Sequence, residues 1–497
     1  MTPRSPRQEP LAKLTPSTEL HNTRVAELLR VAPLTCRYDT SVRDVAAAMH
    51  TDAARAVVVL DAGGHPTGMV TDRDLRAKVV AVGRDPTLTT AGTVMSSPVI
   101  TISATALAVE ALLEMTQREI HHLVVMDAGT LRGVVSSDEL VALPAAHPVL
   151  LARAIGHAGS VSALEELATR ITELVRLLVE RGTRALDIAG IVAELNDRLV
   201  RRVLTLSEAA VAARMGGASP VPYCWLVFGS EARREQTLRT DQDNGLVYAD
   251  TDDQTVLAWV HELARETIAG LVAIGFPPCP GGAMASNPAW CQPLTVWKGY
   301  FRTWMEHPTP PHVLAASMYC DLRPLAGDVP LGARLTEHLL AEAPRHPHFL
   351  SALARDVVDR PLPRTLLGGI KVERRGPHRG TVDVKGAGGV HLVAAGRIHA
   401  LALGFEDPNT VDRFRAAAAA GMYSAAEATE IVDAFEHLLQ LRLVAQLDRL
   451  ADGAVPDNRV DPRRLSRRDA LLLRAALDTV TRVQAGLRER FRTDLMA

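Results

Sequence analysis

The octapeptide GMVTDRDL at Gly68–Leu75 returns as GVVSSDEL at Gly133–Leu140. An internal repeat constrains a fold more than any local propensity, because each copy must satisfy the same packing twice. Upstream of both copies the elements come in the same order. TSVRDVAAAMHT and ATALAVEALLEMTQ carry apolar residues at helical spacing. AARAVVVLDAGGHPTGMVT and IHHLVVMDAGTLRGVVS then read as strand, turn, strand, with DAGG and DAGT as the turns. Two copies of about sixty residues predict two packed copies of one strand-and-helix unit.

The other motifs lie outside the repeat. Pro144 to Gly216 reads as helix, with Leu, Ile and Val at three- and four-residue spacing, and GGASPVP breaks it. YCWLVF reads as a buried strand, and most of the chain after Leu335 reads as helix. The expected architecture is therefore α+β multidomain. It runs as a loose tail (1–24), the first copy (25–85), the second copy (86–143), a helical connector (144–216), a mixed domain (217–334) and a mostly helical domain (335–497).

The composition excludes several classes. Of 497 residues, 47% are hydrophobic and 23% charged, which is globular rather than disordered. The net charge of -2 gives no general pull toward nucleic acid or anionic membrane. Cys36, Cys224, Cys279, Cys291 and Cys320 are scattered without metal-ligand spacing and read as reduced thiols of a cytoplasmic protein. No apolar run reaches the roughly 20 residues a spanning helix needs. The polar, Pro-rich first twenty residues lack the apolar core of a secretory signal.

The chemistry concentrates in FGSEARREQTLRTDQDNGLVY, Phe228 to Tyr248. Successive residues of a strand face opposite sides, so a strand through Asp241 and Asp243 would hold both carboxylates on one face and Gln242 on the other. Two adjacent carboxylates repel, and a divalent cation is the usual remedy. Oxygen-only ligands suit Mg²⁺ or Mn²⁺ rather than zinc. Gly229-Ser230, after a strand and before a helical segment, can hold phosphate oxygens through the hydroxyl and nearby amides. A phosphate cradle facing a metal pair suits transfer at phosphorus.

Two family resemblances follow from these motifs. Gly-apolar-apolar-Thr/Ser-x-x-Asp, at the last strand-to-helix junction of each copy but with Glu139 replacing the Asp in the second, resembles a tandem pair of CBS domains over roughly Val25 to Leu143. The resemblance implies that Thr71 and Asp74, and in the second copy Ser136 and Glu139, contact the phosphate and ribose of AMP or ATP. The alternative is that Thr71 and Ser136 are helix caps, with Asp74 and Glu139 at ordinary acidic first-turn positions. Gly-Ser, ten residues, then Asp-x-Asp resembles the DNA polymerase β-like nucleotidyltransferase superfamily. The longer motif resembles the nucleotidyltransferase-like proteins carried behind CBS domains, relatives of the PII-protein uridylyltransferases. CPGGAMASNPAWCQPLTVW, DLRPLAGD and VDVKGAGGVHLVAAGRIHALALG extend that likeness nearly to the C-terminus.

This resemblance implies roles. Gly229 and Ser230 would hold the β- and γ-phosphates of a nucleoside triphosphate, and Asp241 and Asp243 one or two Mg²⁺. One of Arg233 and Arg234 would face the triphosphate, the other solvent or a neighbouring domain. The superfamily's third carboxylate is sought at Asp321, in a segment that reads as strand or as a helix pairing Asp321 with Arg323. Asp383 and Lys385 would line the cleft of a substrate-binding helical domain. Lys371, Arg374, Arg375 and Arg379 extend the basic stretch beside them, as an anion contact or as a solvated face. The implied activity moves a nucleoside monophosphate from ATP or UTP to a protein or small-molecule acceptor, under control of adenine nucleotides at the CBS pair. A homodimer through that pair is expected. The competing reading is a nucleotide sensor without catalysis.

Overall fold

A computed structural model describes residues 23–29, 32–140, 148–238, 241–365 and 369–495. The chain forms two compact units, one reaching Arg153 and one built from Ala154–Glu180 and Arg184 onward.

In the first unit the repeat appears as two sheets of identical topology. After the short helix α1 (Val25–Leu28), β1 (Thr35–Arg37), β2 (Ala56–Leu60) and β3 (Pro66–Thr71) make one sheet, with α2 (Val42–Thr51) between the first two strands. The second copy has β4 (Thr101–Ser103), α5 (Ala108–Arg118), β5 (His122–Asp127) and β6 (Thr130–Ser136), after α3 (Asp72–Asp74) and α4 (Ala91–Val94). In both copies the first pair is parallel and the hairpin antiparallel. Alternation along β2 explains the packing. Val57 and Val59 face Val42, Val45 and Met49 of α2. Ala56 and Val58 face the other way and join Met69 and Val124, so one strand serves its own core and the junction with the second copy. A short α6 (Ser137–Leu140) follows β6.

The second unit follows α7 (Pro148–His157). Helices α8 (Val161–Glu180) and α9 (Ala185–Met215) lead to a four-stranded sheet ordered β10-β7-β8-β9. Strand β7 (Tyr223–Phe228) is central and buried throughout, as its unbroken apolar run requires. It pairs antiparallel with β8 (Asn244–Tyr248) and with β10 (Leu322–Gly327), and β8 pairs parallel with β9 (Cys291–Pro293). The one-turn helix α10 (Gly229–Ala232) leaves the end of β7, and α11 (Gln254–Ala273) packs on α9. Helices α12 (Leu294–Glu306), α13 (Pro310–Tyr319), α14 (Val329–Glu342) and α15 (Pro347–Asp359) lead to the small ladder of β11 (Val382–Asp383) with β12 (Arg459–Val460). Helices α16 (Val390–Leu403), α17 (Thr410–Ala419), α18 (Ala425–Ala451) and α19 (Arg467–Arg490) complete the unit.

One hydrophobic cluster runs from Phe228 in the sheet through Trp297 and Phe301 to Phe349, Leu392, Phe435 and Leu477 in the helices. Although aromatic residues make up only 4% of the chain, Phe228, Trp290, Trp297, Tyr300, Trp304 and Tyr319 gather here. Each fully buried large side chain contributes roughly 1.5–3 kcal/mol. This shared core holds the sheet and the helical region together, and the cavity at their junction inherits its shape from it. Among the described residues no helix is long and apolar enough to cross a membrane.

Candidate active site

The end of β7 is the geometric centre of the site. Gly229 adopts φ +55°, a left-handed conformation that favours glycine, and a β-carbon there would stand 3.3 Å from an Asp243 carboxylate oxygen. The glycine therefore gives the turn its shape and lets Asp243 come close. The Gly229 N–H donates to the Asp321 carbonyl at 3.1 Å, which leaves phosphate contact at this turn to Ser230. Ser230 lines a cavity of about 350 Å³ together with Gly229, Arg233, Asp243, Lys385 and Arg442.

The two acids of the Asp-x-Asp motif precede the strand rather than lying in it, because β8 begins at Asn244. The alternation survives in the approach. Gln242 is buried, bonded to the Phe276 carbonyl and to Asn244, whereas Asp241 is exposed and Asp243 half-buried. The Asp243 main chain is fixed by the Phe228 N–H at 2.9 Å. Burial raises the Asp243 carboxyl above its ordinary range, and Asp241 adds to this. The Cys279 thiol, Lys385 and Arg233 act in the opposite sense.

The residues fit a magnesium ion of modest protein ligation. Among the described residues no three His, Cys, Asp or Glu side chains group closely enough to hold a metal alone. Mg²⁺ is commonly held by one or two carboxylates plus substrate phosphates, and Asp243 beside the Gly229 turn, with Asp241 acting on it from nearby, would supply that donor set.

Asp321 is a correction. It precedes β10 and is fully buried, and both carboxylate oxygens are taken by guanidinium groups. Arg233 and Arg397 donate to Oδ2 at 2.7 and 2.6 Å, and Arg413 donates to Oδ1 at 2.6 Å. Burial alone would raise its pKa, but Arg397, Arg413 and Arg233 outweigh it and hold the carboxylate well below the usual range. A third metal-facing carboxylate is thus not presented here. Nor does Asp321 pair with Arg323, which reaches Asp197 of α9 at 2.7 Å.

The two arginines of the motif separate as their backbone dictates. Arg233 is buried at the cavity wall, held by Glu235 at 2.8 Å and by Asp321. Arg234, at φ +59°, turns to Glu194 of α9 at 3.0 Å. The basic stretch divides too. Lys371, Arg374, Arg375 and Arg379 are exposed, whereas Lys385 stands at the cavity. Asp383 accepts from the Gly386 N–H at 3.0 Å and shapes the turn. Sequence reasoning passed over Arg397 and Arg442. Each is a lone arginine in an otherwise apolar helical run, AAGRIHAL and LLQLRLVA, and a charge in such a run was the available signal.

In the first unit, Thr71, Asp74 and Ser136 line one cavity of about 630 Å³ formed by both copies. Thr71 caps α3 and donates to Asp74 at 2.7 Å, while Lys78 pairs with Asp74 at 2.7 Å. Burial opposes ionisation of Asp74, but Lys78 and Thr71 hold it below its ordinary range. The side chain of Glu139 lies outside the described residues.

A CBS-domain profile matches residues 25–81 and 91–145. Profiles described as "Putative nucleotidyltransferase DUF294" and "Putative nucleotidyltransferase substrate binding domain" match residues 169–311 and 347–491. A CBS domain-containing protein of Arabidopsis thaliana, CBSCBSPB2, is 34% identical over 107 residues, 21% of this chain and 20% of that protein. A Methanopyrus kandleri protein, MK0525, is 30% identical over 123 residues, 24% of this chain and 63% of its own length. The chain thus spans less than two thirds of either relative. A CBS domain protein of Pyrobaculum aerophilum, solved with AMP, is 28% identical, covers 26% of this chain and 96% of its own, and superposes with a TM-score of 0.23. With CBS profiles on both repeat copies and nucleotidyltransferase profiles on most of the remainder, the chain belongs to the family of CBS-domain-linked nucleotidyltransferases.

Proposed function

We propose that the second unit transfers a nucleoside monophosphate from ATP or UTP to a hydroxyl of a protein or small molecule, and that adenine nucleotides at the first unit regulate it. The observation that carries the reading is Asp243 beside the Gly229–Ser230 turn, at the wall of a cavity open to both. In the reaction the acceptor hydroxyl releases its proton to solvent, its oxygen bonds to the α-phosphorus, and the bond from that phosphorus to the α,β-bridging oxygen breaks so that pyrophosphate leaves. Asp241 and Asp243 would hold Mg²⁺, which when bound supplies neutralisation of the phosphate charge. The Ser230 hydroxyl orients the phosphate tail. Arg233, fixed by Glu235 and Asp321, keeps a preorganised positive edge at the cavity. Tyr319 stacks on Trp290 with ring centroids 3.9 Å apart and gives the cavity a rigid apolar side.

The test is label transfer from radioactive ATP or UTP in lysate with Mg²⁺. Asp241→Asn/Asp243→Asn should abolish it, and transfer unchanged in that variant would overturn the assignment. The locked Asp321 favours one second reading, a nucleotide sensor without turnover. Pyrophosphate release that depends on an acceptor would exclude it.

For the first unit the reading is an adenine nucleotide in the cavity of Thr71, Asp74 and Ser136, consistent with a hydroxyl at a strand-to-helix junction and a carboxylate for ribose hydroxyls. Association into a homodimer through this unit remains part of the proposal, tested by sedimentation with and without AMP.

A further inference from the structure

The cationic residues of the second unit fall into two groups. Arg233, Arg397 and Arg413 are buried and paired with Asp321, and Arg233 also with Glu235. Lys385 and Arg442 are different. Among the described residues neither makes an ion pair, although both line the cavity that holds Ser230 and Asp243. Arg442 is only 7% exposed, and the partner of its Nε is the neutral side-chain oxygen of Asn458 at 2.7 Å. A buried guanidinium without a counter-charge is costly, and so are two cations facing one cavity.

The backbone around them is built for close approach. Lys385–Gly389, sequence KGAGG, forms a π-helical turn that runs into α16. A β-carbon at Gly388 would meet a Leu438 δ-carbon of α18 at 2.7 Å, so glycine lets this turn lie close on α18 without displacing that side chain. Leu438 and Arg442 are four residues apart on α18 and share a face. The contact that seats the glycine turn therefore also sets Lys385 opposite Arg442. Asp383 does not neutralise the pair by an ion pair; it accepts from the Gly386 N–H and fixes the turn. A third feature points the same way. Arg397 lines the same cavity, is 6% exposed, and its Nε has no hydrogen-bond partner.

We propose that Lys385, Arg442 and the glycine turn between β11 and α16 bind the polyphosphate tail of the donor nucleotide, from the cavity wall opposite Ser230. The inference rests on the nucleotidyltransferase reading of the same cavity. The titration behaviour agrees with it. Lys385 is open to solvent through the cavity mouth, yet surrounding protein, Arg442 and Arg233 push its ammonium below the ordinary range, against the pull of Asp243 and Asp241. Burial and then Arg233 push Arg442 down to about 10, against the pull of Asp383 and Glu235. A bound polyphosphate would relieve that repulsion. Of the acids lining the cavity, Glu235 is held by Arg233 and Asp243 would face the metal, so the tail of a metal-bridged triphosphate would leave its outer charges to the cations.

Calorimetric titration of the full chain with ATP and with inorganic tripolyphosphate, each with Mg²⁺, tests this. Loss of one charge-assisted phosphate contact should weaken the site by roughly tenfold to a hundredfold. Lys385→Gln, a solvent-open position, should show that loss for both probes, and Lys385→Arg should recover most of it. Arg442→Gln should weaken binding similarly. Arg375→Gln, in the exposed part of the same basic stretch, should leave affinity unchanged. If no Mg²⁺-dependent site sensitive to Asp243→Asn exists, the nucleotidyltransferase reading itself fails. If that site exists but Lys385→Gln and Arg442→Gln bind tripolyphosphate like the natural chain, this inference fails and the reading stands.

Discussion

Gly229 sits between two aspartates with opposite surroundings. Asp321 accepts its N–H through the backbone and keeps its carboxylate inside a ring of Arg233, Arg397 and Arg413. Asp243 brings its carboxylate against the same glycine and opens it to the cavity. Around Asp321 each guanidinium is bonded to a carboxylate within hydrogen-bond distance, and Glu235 takes a second bond from Arg233. Around Asp243 the cations are not paired, since burial raises its carboxyl while Lys385 and Arg442 make no ion pair among the described residues. The difference teaches that charge imbalance, rather than charge density, marks a place for a ligand. A buried ionic network that closes on itself acts as a strut. One left open awaits a counter-charge from outside.

Breaking the closed network should have the largest effect. Asp321→Asn would leave three buried guanidinium groups short of their counter-charge, and removing one partner of such a network costs roughly 3–5 kcal/mol. The unfolding free energy of the second unit should fall by that amount, and its denaturation midpoint with it, with or without Mg²⁺. Asp243→Asn should leave the midpoint nearly in place and remove Mg²⁺-dependent transfer. If Asp321→Asn were instead stable and inactive, the two aspartates would have exchanged roles and the comparison would collapse.

A third acid on the same turn sharpens the contrast through pH. Glu231 is buried, its Oε1 has no hydrogen-bond partner, and the neighbouring Oδ2 of Asp197 has none either, standing 3.9 Å from Arg234. Burial first, then Asp197 and Asp243, raise its carboxyl to about 8, against the pull of Arg323. The sign follows from linkage. Because the folded chain holds the proton more tightly than the unfolded one, this group's contribution to stability is full below the ordinary glutamate range and is lost as pH rises toward about 8. Equilibrium denaturation between pH 5 and pH 8 should therefore show a loss of a few kcal/mol. Glu231→Gln should flatten that slope, and a slope unchanged in the variant would remove Glu231 as its source. Asp321 works in the opposite direction, being ionised in the fold at every pH of that series.

What the sequence made legible was local. The repeat, the Gly-Ser turn and the Asp-x-Asp motif each fit within about twenty residues, and their spacing carries their geometry. The ladder of β8 begins a few residues later than read, because Asp241 and Asp243 lie in its approach, where Gln242 bridges to Pro278 while keeping the alternation of a strand. The role of Asp321 was not legible, since two of its three guanidinium partners lie 76 and 92 residues further along the chain. No periodicity encodes that distance. The same holds for Lys385 and Arg442, whose pairing depends on Gly388 meeting Leu438. Helical spacing marks α8 and α9 as a connector packed on the next domain without saying which residues make the contact: Asp197 and Glu194 of α9 bind Arg323 and Arg234 beside the Gly229–Ser230 turn.

The smallest predicted effect concerns Asp74, whose network lies between the two extremes. Lys78 and Thr71 satisfy it, as the arginines satisfy Asp321, yet it borders a cavity, as Asp243 does. Its lowered pKa means that its stabilisation is present above the ordinary aspartate range and is lost as pH falls through the folded value. Thr71→Ala removes the helix cap and should cost about 1 kcal/mol, read as faster hydrogen exchange at the amides of residues 72–75. Thr71→Ser keeps the cap and the hydroxyl. If Thr71 also serves a nucleotide, AMP affinity measured by calorimetry should fall in Thr71→Ala and persist in Thr71→Ser. Wild-type affinity in Thr71→Ala, with the cap demonstrably lost, would place Asp74 beside Asp321 as a closed strut and leave the cavity between Asp243 and Lys385 as the nucleotide site that the charge-imbalance argument supports.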